Sequence, residues 1–496
     1  MHRSLHDSAS ASARPTRRAF LGSAVGIGLL LTKPGYAEQA LPREAPTRAP
    51  TARSNPIEQA VDELARWARA QKAELGASVL DLQTGREVAA ASSERVLNPA
   101  SNQKILTACA ALEVLGPAHR FVTSLHGRKE GSVLSELVLR SDGDPDLRTS
   151  DLAEFVHRLR RLGVQRVQGD IFVDQSAFDR KWEPPAYEQR PDDWASYRSP
   201  VSAVAVDGNA LVLHVVPTTE GKPALAWVDP PGIAEITGEI ATAGRDAPSD
   251  VRLSVSPQGE KMRVVVGGKV PSGGRPVVLA RRIAAPELAP GHVLRALLAQ
   301  HGITVTGRVK SGGAGFEAEL VRRESRPLSE LVHALGKQSD NFVAEMLLKA
   351  MGRSGSEAGT SQKGAQVIQD MLRRLGALTP GTRILNGSGL YDANRISAFT
   401  LTRVLAHARK DPKVGPELLA SLAIGGTDGT LASRLAAFKS ARTVRAKTGT
   451  LASVVTLAGY VLGPTPLAFA FLLNGVGGKV AESRRRIDIA VTKLAT

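Results

Sequence analysis

Ser101 and Lys104 stand three residues apart in Asn98-Pro99-Ala100-Ser101-Asn102-Gln103-Lys104, immediately ahead of the apolar run Ile105-Leu106-Thr107-Ala108-Cys109-Ala110-Ala111-Leu112. On a helix that begins at Pro99, this spacing puts both side chains on one face, within reach of each other. A serine hydroxyl is a poor nucleophile until a base takes its proton. A lysine can be that base only when burial or a second cation holds its amine neutral. The pair therefore reads as nucleophile and base, although Ser-x-x-Lys is a loose pattern and alone also fits a helix cap followed by a solvated lysine.

Two further stretches carry groups suited to the same chemistry. Lys337-Gln338-Ser339-Asp340-Asn341-Phe342 falls between amphipathic segments at 328–335 and 342–351 and holds the chain's one Ser-x-Asn. By itself it is an ordinary turn or helix-start sequence. Val444-Arg445-Ala446-Lys447-Thr448-Gly449-Thr450 precedes a continuous apolar run at 454–461 and reads as a strand. There Lys447 can meet an anionic substrate and Gly449 lets another backbone approach. Lys310-Ser311-Gly312 is a decoy for this third stretch: it precedes Ser339, and no apolar strand follows, which places it on the surface.

The elements that must position these groups come after an export label. Arg3, Arg14, Arg17 and Arg18 face a single acid, Asp7; residues 19–32 are uncharged, and Lys33-Pro34-Gly35-Tyr36-Ala37 closes the segment with small residues. Fourteen uncharged residues are too few for a permanent span, so a cleaved signal over 1–37 is expected. Thr16-Arg17-Arg18-Ala19-Phe20-Leu21 resembles a twin-arginine signal, with a periplasmic destination. Removing five basic residues and one acid takes the formal charge from +16 to +12. That balance favours anionic surroundings such as wall polymers or lipid headgroups. Aromatics are only 4% of the chain and do not interleave with basic patches, so nucleic-acid binding is excluded. The one cysteine, Cys109, rules out an internal disulfide and reads as a small core residue.

Residues 38–56 are rich in Pro, Arg and Ala and read as a flexible leader. From 57 a helix, a strand–turn–strand hairpin and the Ser101 helix follow in order, making a first domain part at 57–120. Residues 121–279 change character, to short alternating apolar runs punctuated by Gly, Pro and Asp, and read as a β-rich insert. Asp142-Gly143-Asp144-Pro145-Asp146 in this region lacks the glycine and glutamate of a calcium loop and is expected to be a turn. Helical spacing resumes at 293–298, and the first domain is expected to be completed over 280–496.

Ser-x-x-Lys, Ser-Asp-Asn and Lys-Thr-Gly in this order, on helix, loop and strand behind an export signal, resemble the signature of serine penicillin-recognising enzymes. The chain resembles the penicillin-binding proteins that act as D-alanyl-D-alanine carboxypeptidases and endopeptidases, specifically the group with a large insert after the nucleophile. Ser101 and Ser339 are 238 positions apart, which selects that group. Further matching stretches are Gly143-Asp144-Pro145, Gly169-Asp170-Ile171, Gly387-Ser388-Gly389-Leu390, Asn394-Arg395 and Gly426-Thr427-Asp428-Gly429-Thr430-Leu431. Two departures stand out: Asn386 where the family has an acid, and Tyr391-Asp392 where it has a Ser-Arg pair.

The resemblance implies an α/β fold, with a β-lactamase/transpeptidase-like domain of antiparallel sheet and flanking helices, interrupted by the β-rich insert. It implies acyl transfer from peptidoglycan stem peptides. Ser101 is the nucleophile, Lys104 its base, Ser339 the proton relay and Asn341 a hydrogen-bonding partner of Lys104 and the substrate. Lys447 and Thr448 would bind the terminal carboxylate, with Lys447 also keeping Lys104 less basic. Thr450 would help through its hydroxyl, and the Ser101 and Thr450 amides would form the oxyanion hole. Asp340 and Gly449 fall within the same substrate-binding motifs. β-Lactams would be covalent inhibitors, and neither metal nor cofactor is called for. A β-lactamase is the alternative, set aside because no Glu-x-x-x-Asn loop supplies a deacylating base; a non-catalytic wall-binding protein is the alternative from another class.

Overall fold

The computed structural model describes residues 55–313 and 318–495. The export signal expected at 1–37 and most of the leader lie outside the described residues. The first described helix, Pro56–Ala70, starts one residue before 57: Asn55 caps it by accepting from the Ile57 amide, and Pro56 opens its first turn.

The strand Leu467–Asn474 explains how the central sheet is covered on both sides. Side chains alternate across a strand, and here Leu467, Phe469, Phe471 and Leu473 enter one core while Ala468, Ala470 and Leu472 enter another. Both faces are apolar, so both need a layer of helices. Six antiparallel strands form the sheet, in the order Ala423–Ile424, Val444–Leu451, Val454–Val461, Leu467–Asn474, Glu74–Asp81 and Glu87–Ala91. The large-residue face receives the helices Pro56–Ala70 and Val480–Ala495 through Val61, Leu64, Ile487 and Val491. On the alanine-rich face the helix Ala398–Lys410 approaches closely, and the Tyr460 hydroxyl donates to the Leu405 carbonyl at 2.8 Å. The helices Gln103–Val114 and Asn341–Met351 complete that core.

The β-rich insert extends well past its expected end. Val309–Ser311 runs parallel to Ile171–Asp174, and Glu319–Glu324 pairs antiparallel with Val122–His126 in one five-stranded sheet. The helix Ala289–Gln300 buries Val293, Leu294, Leu297 and Leu298 in a core that draws on residues from Leu125 to Val321 alone. The boundary expected at 280 is therefore corrected: the first domain resumes at the helix Leu328–His333. Helical periodicity identified the 293–298 segment as a helix, but periodicity does not say which core an apolar face enters.

The acid-rich turn at 142–146 fastens this return. Arg323 pairs with Asp144 and Asp151, and Arg326 reaches Asp146 at 2.7 Å, so each of these carboxylates faces a guanidinium. One segment of the insert leaves its own core. Phe178, Val201, Ala203 and Ala205 bury against the core of the helix Gln103–Val114, and the chain between them reaches the cleft. Buried Arg198 holds that excursion together by donating to the carbonyls of Tyr187 at 2.7 Å and Asp193 at 2.8 Å. Lys310 of the decoy stretch sits in the strand Val309–Ser311 and pairs with Asp170 on the insert's surface.

Candidate active site

Ser101 lies in a tight turn, Ala100–Asn102, that runs directly into the helix Gln103–Val114. Ala100 adopts a left-handed φ of +44°, a strained conformation for alanine. The Asn98 side chain holds it there by accepting from the Ala100 amide at 2.9 Å, and Asn98 is itself tied to Asn474 through two hydrogen bonds of 2.9 and 3.1 Å. The Ser101 turn is thus anchored to the end of a sheet strand.

One turn on, Lys104 is only 1% exposed, and its Nζ has three partners: Asn341 Oδ1 at 2.7 Å, the Ser388 carbonyl at 2.7 Å and Ser101 Oγ at 3.0 Å. None of them is a carboxylate. Burial pulls this amine down from 10.5 to about 7, against the opposing charges of Glu345 and Asp340. A neutral amine has two N–H groups and one lone pair. The two carbonyl-type oxygens can only accept, so they take the N–H groups and the lone pair is left for the Ser101 proton.

On the other side of the cleft Lys447 is equally buried; its Nζ donates to Ser339 Oγ at 2.9 Å and to the Thr448 carbonyl at 2.7 Å. Burial, then the charge of Lys104, pushes this second amine well below its ordinary value. Burial is the principal cause of the lowering at Lys104, and the repulsion between the two amines is mutual, so each keeps the other less basic. Ser339 follows a π-helical turn at 334–338 and takes a left-handed φ of +61°, which aims its hydroxyl at Lys447. Lys337 of that turn pairs with Asp428 at 2.7 Å.

The remaining candidates divide. Thr448 donates to Thr430 at 2.8 Å, which joins the third motif to the Gly426–Leu431 stretch. Thr450 lines the cleft, and its hydroxyl accepts from Arg484 at 3.2 Å. Gly449 is required by contact, since a Cβ there would lie 2.1 Å from Thr456 Oγ1 and 3.0 Å from both the Pro99 carbonyl and the Ser101 amide. The strand therefore runs beside the Ser101 N–H. Asp340 also serves the backbone: it is the N-cap of Asn341–Met351 and accepts from the Val343 amide at 3.1 Å.

A cleft of about 1170 Å³ opens over these groups. Ser101, Ser339, Asn341 and Thr450 line its floor, Asp193 and Tyr197 reach it from the insert, and Tyr391 and Arg395 from the chain after the Gly-Ser-Gly turn. Asn341 Nδ2 donates to the Tyr197 carbonyl at 2.8 Å, so the insert orients the amide that holds Lys104. The Tyr197 hydroxyl donates to Asp193.

Asn386 explains itself through its partners. Its Nδ2 donates to the carbonyls of Pro185 and Leu390, while its Oδ1 accepts from the Gly389 amide and Asn394 Nδ2. An acid in its place would turn an acceptor toward two carbonyls.

Sequence reasoning overlooked Glu345, whose carboxylate accepts from the Gly387 amide at 3.0 Å and the Ser388 amide at 2.8 Å. A signal was available. Residues 341–351 form a helix buried on every side, so the charges inside it, Glu345 and Lys349, had to find internal partners. The Tyr197 and Ser388 carbonyls had no such signal, being backbone groups brought in by tertiary folding.

The family model described as the D-Ala-D-Ala carboxypeptidase 3 (S13) family matches residues 57–495. This chain belongs to the S13 family. Among curated proteins it is 32% identical over 497 residues to the D-alanyl-D-alanine carboxypeptidase of Actinomadura sp. strain R39, covering 94% of this chain and 90% of that one. Its fold matches penicillin binding protein 4 (DacB) of Haemophilus influenzae with a TM-score of 0.73 and 22% identity, over 87% of this chain and 99% of that one. The same Haemophilus protein complexed with a novel β-lactam matches with a TM-score of 0.68 and 23% identity, over 87% and 97% of the two chains. The insert and the motif-bearing domain of this S13 chain thus both fall within the matched length.

Proposed function

We propose that this S13 chain is a serine-type D-Ala-D-Ala carboxypeptidase and D,D-endopeptidase that acts on peptidoglycan stem peptides through an acyl-enzyme on Ser101. The observation that carries this reading is a buried amine with no carboxylate partner whose remaining lone pair faces a serine hydroxyl. Ser101 Oγ attacks the carbonyl of the scissile D-alanyl bond as Lys104 takes its proton. Charge developing on the substrate oxygen is met by the Ser101 and Thr450 amides, each donor worth about 3 kcal/mol at the transition state. The C–N bond then breaks as the proton taken by Lys104 is relayed through the Ser339 hydroxyl, which Lys447 orients, to the departing amine; water then gives a proton to Lys104 and attacks the ester, and that proton returns to Ser101 as the ester cleaves.

Binding follows the same charges. A terminal carboxylate near Thr448 and Lys447 supplies the negative charge that favours a protonated Lys447, while Lys104 stays free to act as base. β-Lactams enter by the same attack on a strained amide, and the β-lactam complex of the Haemophilus relative supports that class of inhibitor. The export signal expected from the sequence supports a reaction outside the cytoplasm, in the periplasm, where a net positive mature chain would be drawn to anionic wall polymer or membrane surface.

Digestion of purified peptidoglycan by the mature protein beside Ser101→Ala tests the reading. Free D-alanine, with or without cleaved cross-links, is expected from the wild type and neither from the variant. Equal release by both proteins would overturn the assignment.

A further inference from the structure

Glu345 is a buried carboxylate that the acyl-transfer scheme leaves unused. It lies four residues after Asn341, on the same face of Asn341–Met351, and is 1% exposed. Its two oxygens take the amides of Gly387 and Ser388 separately, at 3.0 and 2.8 Å. The carbonyl of that same Ser388 accepts from Lys104 Nζ at 2.7 Å. One helix therefore fixes two of the three partners of Lys104, Asn341 directly and Ser388 through the turn that Glu345 clamps. The turn has little freedom of its own, because a Cβ at Gly387 would lie 2.5 Å from the Ala344 carbonyl and one at Gly389 only 1.8 Å from the Ala100 carbonyl.

Resting on the acylation reading above, we propose that Glu345 is the positioning residue of the Lys104 base: it clamps the 387–388 turn so that Ser388 takes one Lys104 N–H, and it is the buried counter-charge to Lys104. The other charged groups nearby do not duplicate it. Facing Glu345 are Lys104 from the nucleophile helix, Lys349 one turn along its own helix and the Tyr187 phenol from the insert, which burial and Glu345 push well above its ordinary value. Lys349 is held by Asp179 at 2.6 Å. Facing Lys104 are Asp340, which caps its helix, and Lys447, a like charge.

The two functions of Glu345 separate by substitution. Glu345→Gln removes the charge and turns an amide N–H toward a backbone N–H, while Glu345→Asp keeps the charge and withdraws the clamp by one methylene. Loss of a negative charge favours the neutral amine, so the Lys104 titration, followed by NMR on lysine labelled with carbon-13 at Cε, moves down by about one pH unit in Glu345→Gln. It stays at the wild-type position in Glu345→Asp. The acid limb of benzylpenicillin acylation moves with it, a change that loss of fold alone does not produce. In the wild type the Glu345 carboxyl carbon is expected to show a step at the Lys104 midpoint, a reading that stands even where Glu345→Gln fails to fold. An unmoved Lys104 midpoint in folded Glu345→Gln, or a Glu345 signal with no step, would overturn the proposal while penicillin labelling of Ser101 left the acylation reading standing. A shifted midpoint in a protein that penicillin never labels would uphold the coupling and overturn the acylation reading instead.

Discussion

Lys104 and Lys349 are both 1% exposed, in the same helical core, and differ in what meets the amine. Lys349 finds a carboxylate, Asp179 Oδ1 at 2.6 Å, and the Lys181 carbonyl at 2.7 Å; the pair fastens the insert's excursion to Asn341–Met351. Lys104 finds three neutral oxygens, one of them the nucleophile's. Burial lowers both amines, but at Lys349 the neighbouring Asp179 opposes the shift, while Lys104 comes down to about 7. The difference separates a structural lysine from a base: burial makes the charge unfavourable, and the partner decides whether it is kept.

Paired substitutions break or sharpen this contrast most strongly. Lys104→Met is expected to slow benzylpenicillin acylation by about 10³-fold or more, the scale of a lost general base. It should lower the melting temperature less than Lys349→Met does, because relief of the buried charge offsets the two acceptors, Asn341 Oδ1 and the Ser388 carbonyl, that it leaves unpaired. Because the folded-state pKa of Lys104 lies below the unfolded value of 10.5, the unfolded chain binds the more protons from there down through about 7, so the buried amine counts against folding in that window. Lys349→Met should do the reverse: acylation suffers less, and stability falls by about 3 kcal/mol because Asp179 is left unpaired. A matched loss of stability in both variants would erase the distinction.

Gly449→Ala tests the nucleophile's surroundings without touching either amine. The added Cβ meets Thr456 Oγ1 and the backbone at Pro99 and Ser101, so strand and nucleophile must part. Acylation should drop by about 10²-fold, as for a displaced oxyanion donor, with the Lys104 titration nearly unchanged. Asn386→Asp carries the partner rule to an uncharged group, with the smallest effect. Two donated hydrogen bonds are lost and a carboxylate faces the Pro185 and Leu390 carbonyls, which should lower stability by about 2 kcal/mol in urea unfolding.

The chemistry was largely legible in the sequence because its types and spacings are local. Ser101 and Lys104 share one helical turn, and Lys447 to Thr450 share one strand, so short-range geometry fixes each set. The helix-capping role of Asp340 was not singled out, because a residue inside a motif can also serve the backbone. The return of the first domain was placed at 280 because apolar periodicity at 293–298 is indifferent to which core receives it. Glu345 and Lys349 were readable in principle as charges in an otherwise apolar helix. Their partners were not, since the Ser388 amide and Asp179 lie 43 and 170 positions away in the chain.

The central claim is that burial readies a lysine to switch on a neighbouring serine, and the rate of benzylpenicillin acylation against pH, with the adduct located by peptide mapping, tests it most directly. The account predicts a single adduct on Ser101 whose formation accelerates as pH rises toward about 7 and levels above it, when the Lys104 amine has lost its proton. An adduct on another residue, or a rate indifferent to pH across that range, would contradict it.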